Sequence, residues 1–221
     1  MSDTPPPQTA FSRIVLASGS PRRRELMEQA GYAFDVIPAD PSVECGVCSS
    51  ETPAELVARH AFRKAEDVSR QVDAGMVIAA DTVAACRGQI LGKPEDREHA
   101  RQMLKMLAGT QHAAFTGVCL WSLPDQKASL DVCCTQLQME AIDDATIEAY
   151  LDSDRWIGKA GAFGYQDGND WLQILSGSPS NVVGLPMERL QEMLASFAET
   201  AQAIDVSARQ APLVEIDRPS S

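Results

Sequence analysis

Three stretches of the sequence hold residue types suited to handling a phosphorylated anion. In the first, Leu16-Ala17-Ser18-Gly19-Ser20-Pro21-Arg22-Arg23-Arg24, a short apolar segment runs into a turn and then a helix start. Glycine lets an anion approach the backbone, and a helix amino terminus presents unpaired N–H groups and positive potential. Ser18, Arg22 and Arg23 would add direct donors. Three consecutive cations at that end of a helix are unfavourable unless an anion offsets them; the plainer reading is a helix cap followed by solvated arginines. In the second stretch, Asp81 interrupts the apolar run Met76–Cys86. A carboxylate there must be paired, bound to metal or opened into a cleft, unless it only caps a strand end through neighbouring backbone. Lys93, in Leu91-Gly92-Lys93-Pro94, follows in a turn. The third stretch, Gly158-Lys159-Ala160-Gly161-Ala162-Phe163-Gly164-Tyr165-Gln166, has too many glycines for an ordinary helix or strand. It suits backbone lying against a ligand, and its interspersed apolar residues argue against a solvated linker.

The elements that must position these residues follow from periodicity and punctuation. A strand is expected over 13–17 and a helix over 21–30, with Pro21 at its first position and Gly31 as a left-handed cap. Thr52 and Glu55 have capping-box spacing and announce a second helix running to about 72. Residues 76–86 read as a buried central strand, Arg87-Gly88-Gln89 as a tight turn into a short strand, and 95–107 as an amphipathic helix. Strands over 113–123 and 128–141 flank a turn at Pro124-Asp125. A helix near 144–151, a strand at 171–175 and a last helix from Pro186 complete the list. Long crossovers and hairpins together predict an α/β fold on a mixed, twisted sheet with flanking helices. Residues 1–10 and 200–221 read as flexible tails around a single domain over 11–199.

Composition excludes several roles. A net charge of −12 argues against a general nucleic-acid binder, because phosphate backbones reward broad basic surfaces. No apolar run approaches the roughly 20 residues needed to cross a bilayer, and the first residues lack the pattern of a signal peptide. A cytosolic protein with reduced thiols is therefore expected. Cys45 and Cys48 have CxxC spacing, but the adjacent Cys133 and Cys134 would alternate across a strand, which disfavours a four-cysteine zinc site.

Taken together, the motifs resemble those of the Maf family of nucleoside triphosphate pyrophosphatases. LASGSPRRRELM (16–27), AADTV (79–83), ILGKPED (90–96), ML with LAG and FTGV (103–118), GKAGAFGYQ (158–166) and SNVVGLP (180–186) occur in the family's order. The resemblance covers about 13–195. It implies a mixed α/β fold with a cleft between two lobes, a homodimer, and hydrolysis between the α and β phosphates of a nucleoside triphosphate with Mg²⁺ or Mn²⁺. It also implies roles: Asp81 as proton acceptor, Ser18, Arg23, Lys64 and Lys93 as groups that hold or polarise phosphates, and Glu44 with Asp81 as metal ligands. Arg22, Thr82 and Gln166 match the positions tied to base choice, in the form of the branch acting on dTTP and UTP. Val43, Tyr165 and Asp167 depart from the family pattern, which usually has Asp, Ile and Gly there. A nucleotide-binding regulator with weak catalysis, or a pyrophosphatase directed at 7-methyl-GTP or other purines, are the competing readings.

Overall fold

The computed structural model describes residues 11–210 apart from Cys45, Val47 and Ser49, with side chains as far as Glu199. In chain order the elements are β1 (Ile14–Leu16), α1 (Pro21–Gln29), β2 (Asp35–Val36), α2 (Pro53–Ser69), β3 (Gly75–Cys86), β4 (Gln89–Leu91), α3 (Arg97–Leu107), β5 (Gln111–Leu123), β6 (Lys127–Met139), α4 (Asp144–Asp152), β7 (Leu172–Ser176), α5 (Pro179–Val183) and α6 (Met187–Gln210). The strands form one seven-stranded sheet in the order β2-β1-β3-β5-β6-β7, with β4 paired to β3. The β2–β1 and β1–β3 pairs are parallel and the others antiparallel. This is the mixed α/β sheet that the alternation of crossovers and hairpins predicts.

Strand alternation sorts the core onto two faces. Val77, Ala79 and Cys119 point toward α2, where they pack against Ala61, Ala65 and Val68. Met76, Ile78, Ala80, Val118 and Leu120 point the other way, onto Met27 of α1 and Leu190, Met193 and Leu194 of α6. Helix α2 starts at the expected capping box, in which Glu55 N–H donates to Thr52 Oγ1 at 3.3 Å and Thr52 N–H donates to Glu55 Oε2 at 2.8 Å. It can lie close to the sheet because residue 117 is glycine: a Cβ there would sit 2.3 Å from the Val57 carbonyl oxygen. The β3–β4 hairpin turns through Arg87 and Gly88, both at positive φ, as a two-residue primed turn requires.

The structure contains elements and an element end that the sequence reading did not specify. The two-residue β2, exposed at both positions, and the five-residue α5 are too short to show a period. The glycine-rich stretch contains single 3₁₀ turns at Ala160–Ala162 and Tyr165–Asp167. Helix α6 continues to Gln210, beyond the boundary at 199; this Ala- and Gln-rich stretch favours helix by propensity even where its apolar period fades. Residues 1–10 and 211–221 lie outside the described residues. Among those described, no helix is long and apolar enough to cross a membrane.

Candidate active site

A gap in the sheet edge creates the site. Strand β3 is paired with β5 from Gly75 to Ala85 along one edge. On its other edge β1 pairs only as far as Ile78, and β4 begins at Ala84. Residues 79–83 therefore have no strand neighbour on that side, and Asp81 and Thr82 lie in the middle of the opening. Ser18 follows the end of β1 and Lys93 follows the end of β4, so the two borders of the gap carry the first and second stretches singled out in the sequence. The gap opens into a cavity of about 570 Å³, and every candidate site residue lines it.

On the α2 side, Asp81 is buried and held at both oxygens. Lys64 Nζ donates to its Oδ1 at 2.6 Å, and His60 Nδ1 lies 3.0 Å from its Oδ2. His60 and Lys64 are four residues apart, one helical turn, so a single face of α2 delivers both groups. Burial works against the Asp81 charge, but the hydrogen bond with His60 and the cations Lys64 and Arg23 outweigh it and hold the pKa at about 2. Lys64 also reaches Glu44 Oε1 at 2.7 Å. Glu44 follows a 3₁₀ turn at Pro41–Val43; burial raises its pKa, and Lys64 more than offsets this, leaving it below the usual range. Arg59, beside His60 on α2, ties back the segment after Glu44 by donating to the Gly46 carbonyl at 3.0 Å and to Glu51.

On the opposite face, Arg23 is anchored at three points. Its Nε donates to the Gly184 carbonyl at 2.7 Å, one terminal nitrogen to Ser18 Oγ at 3.2 Å and the other to Thr82 Oγ1 at 3.1 Å. Burial lowers its pKa, with Asp81 opposing. The carbonyl that holds it is fixed from below. Asn181 on α5 donates to Ala114 O and Thr135 Oγ1 at 3.2 and 2.9 Å, and Thr116 Oγ1 donates to Asn181 O at 3.0 Å. Thr82 and Thr116, cross-strand partners in β3 and β5, are 3.0 Å apart at their hydroxyls. The hydroxyl of Thr82 is thus engaged beneath Arg23 rather than directed into open space.

The arginine run is resolved by three separate destinations. Arg22 donates to Gly158 O at 2.8 Å, closing the cavity with the glycine-rich segment that carries Gln166. Arg24 turns outward to Glu28 at 2.7 Å. The segment itself is tied to the Lys93 turn by Gly161 N–H donating to Gly92 O at 2.9 Å. Gln166, Lys159 and Phe163 of the glycine-rich segment thus line the same cavity as Ser18, Arg23, Lys64 and Lys93.

Two carboxylate oxygens, Glu44 Oε1 and Asp81 Oδ1, converge on a single point, now the position of Lys64 Nζ. Among the described residues no group of three or more His, Cys, Asp or Glu side chains is gathered as a metal cage. Two hard oxygen donors beside a phosphate pocket still fit Mg²⁺ or Mn²⁺, because such ions are commonly held by one or two carboxylates and completed by substrate phosphates and water. Cys48, Cys133 and Cys134 are free thiols, and Cys45 lies outside the described residues.

Sequence reasoning passed over His60 and Asn181. His60 had a signal: with Lys64 it interrupts the apolar stripe of Val57, Ala61, Ala65 and Val68 at a spacing of one turn. Asn181 had only its place in the SNVVGLP motif.

Comparison with known proteins adds a family relationship. A family model described as a Maf-like protein matches residues 13–197. A dTTP/UTP pyrophosphatase of Rhodopirellula baltica is 56% identical over 204 residues, covering 92% of this chain and 88% of that protein. A dTTP/UTP pyrophosphatase of Ruminiclostridium cellulolyticum is 39% identical over 188 residues, 84% and 96% of the two chains. One from Salinibacter ruber is 41% identical over 195 residues, 86% and 94% respectively.

Proposed function

The chain belongs to the Maf family, and from that premise we propose that it hydrolyses dTTP and UTP to the nucleoside monophosphate and pyrophosphate. The observation that carries the reading is the gap in the β3 edge, which gathers Ser18, Arg23, Lys64, Asp81 and Lys93 around one opening. The triphosphate lies along this cationic border, where fixed donors stabilise developing charge without reorganising. Glu44 and Asp81 would hold a divalent cation against the phosphates, supplying charge neutralisation and polarisation of the phosphoryl oxygens.

Asp81 orients the attacking water and accepts its proton. A carboxylate held at a pKa of about 2 is a weak base in the free site. Lys64 is one cause of that depression and also an ammonium within reach of an incoming phosphate. Drawn toward the phosphate, it would free Asp81 Oδ1 and Glu44 Oε1 for the cation and the water. Arg23, seated by Gly184, Ser18 and Thr82, stays fixed through this exchange.

Arg22 and Gln166 form the base end. A glutamine amide both donates and accepts, as the carbonyl and N–H edge of thymine or uracil requires; Thr82 contributes from beneath through Arg23. The same reading takes the enzyme to be a cytosolic homodimer. The test is a panel of dTTP, UTP, CTP, GTP and 7-methyl-GTP with release of pyrophosphate as readout. We expect kcat/KM to be highest for dTTP and UTP; an equal or better value for 7-methyl-GTP reverses the assignment of substrate, and no pyrophosphate from any of them removes the enzyme reading.

A further inference from the structure

The glycine-rich segment holds a charged cluster that the proposed chemistry does not use. Lys159 Nζ reaches both oxygens of Asp167, at 2.6 and 2.5 Å, and the two side chains are only 10% and 7% exposed. Tyr150 on α4 donates its hydroxyl to Asp167 Oδ2 at 2.6 Å and accepts the Gly164 backbone N–H at 3.2 Å. Arg155 donates to the Asp167 carbonyl at 3.0 Å. Taking an ion pair out of water returns little stability that packed apolar side chains would not give, so such a pair is better explained by the geometry it fixes. Here that geometry is tight: a Cβ on Gly164 would lie 2.4 Å from Lys159 Nζ and 2.6 Å from Asp167 Oδ2.

The residue enclosed by these contacts is Gln166. Gly164 is held two positions before it and Asp167 one position after it, while the far end of the segment is pinned through Gly158 and Gly161 to Arg22 and to the Lys93 turn. Asp167 also offsets the Lys159 charge beside the end of the cavity that receives a neutral base. We infer that Asp167 is a positioning residue for base choice: by gripping Lys159 and Tyr150 it fixes the backbone on which Gln166 is presented to the pyrimidine. The inference rests on the reading of Gln166 as the base-recognising residue.

The test compares wild type with Gln166→Ala, Asp167→Asn and Tyr150→Phe, measuring kcat and KM for dTTP, UTP and GTP alongside thermal unfolding. In Asp167→Asn we expect KM for dTTP and UTP to rise about tenfold, the size of one loosened hydrogen-bonding contact, with the preference over GTP narrowed. Saturating kcat should stay within about twofold, because the phosphate end is untouched. Tyr150→Phe, which removes one hydrogen bond to Asp167, should move KM in the same direction by less, and it decides the matter if Asp167→Asn fails to fold. A merely structural role would lower kcat through a smaller active fraction with KM unchanged. That pattern, or unchanged constants in Asp167→Asn while Gln166→Ala does alter base preference, overturns the inference and leaves the reading of Gln166 intact. Unchanged preference in Gln166→Ala removes that reading and the inference with it.

Discussion

His60 Nδ1 lies 3.0 Å from Asp81 Oδ2, on the oxygen that Lys64 does not use. The carboxylate at the centre of the site is therefore oriented from two positions of one helix before any substrate arrives. This arrangement makes Asp81 both a chemical group and a structural counter-charge, and its removal should show both effects.

Asp81→Asn should lower kcat for dTTP by about 10²- to 10⁴-fold, the usual cost of losing a general base. It also leaves Lys64 with Glu44 as its remaining carboxylate, so stability should fall by about 1–3 kcal/mol. Pyrophosphate release measured beside thermal unfolding separates the two effects. A variant keeping more than about a tenth of wild-type kcat would remove Asp81 as proton acceptor.

Chelation of divalent cations should abolish turnover, and Mg²⁺ or Mn²⁺ should restore it. Glu44→Gln should raise the metal concentration needed for half-maximal rate, because one of two converging carboxylates is lost. Full activity in excess chelator would contradict the assignment of Glu44 and Asp81 as metal ligands.

Gly117→Ala tests how the site is built rather than what it does. The added methyl meets the Val57 carbonyl oxygen at 2.3 Å, a backbone atom that can move only with α2. We expect a loss of about 1–3 kcal/mol together with reduced kcat, since the same helix carries His60 and Lys64. An unchanged melting temperature with full activity would mean that α2 does not need its close approach to β5.

His112 supplies a prediction about pH. It is 3% exposed on β5, edge-on to Phe163 with ring centroids 5.2 Å apart, and burial pushes its pKa from 6.5 down to about 4. Between those values the unfolded chain takes up a proton that the folded chain refuses, so stability falls as pH drops from about 6.5 to 4. The slope approaches about 1.4 kcal/mol per pH unit for one proton, and below about 4 this group adds no further loss. Urea unfolding of wild type and His112→Leu at several pH values isolates it: their difference should drift against wild type below pH 6.5. A difference that stays flat would rule out a neutral, buried His112.

Much of this protein is determined by sequence alone. The capping box at Thr52 and Glu55, Pro21 at the first position of α1 and the turn at Arg87-Gly88 are local instructions, because backbone conformation and capping are decided within a few residues. The apolar run from Met76 to Cys86 likewise declares a buried strand, and a single Asp within it declares a special position. What the tertiary structure decided is the set of partners. That β1 pairs with β3 only as far as Ile78 while β4 pairs with it only from Ala84 onward is a matter of topology, and the gap between them is what opens a cavity beside Asp81. Lys64 and His60 meet Asp81 only because α2 packs on β3 and β5, and Lys159 meets Asp167 only because two 3₁₀ turns fold the glycine-rich segment back on itself. Arg23 shows the limit most clearly. Its type and its helix were legible, but its orientation depends on the carbonyl of Gly184, 161 residues along the chain. A hydrogen bond at that separation is set by how the layers pack, which local propensity does not encode.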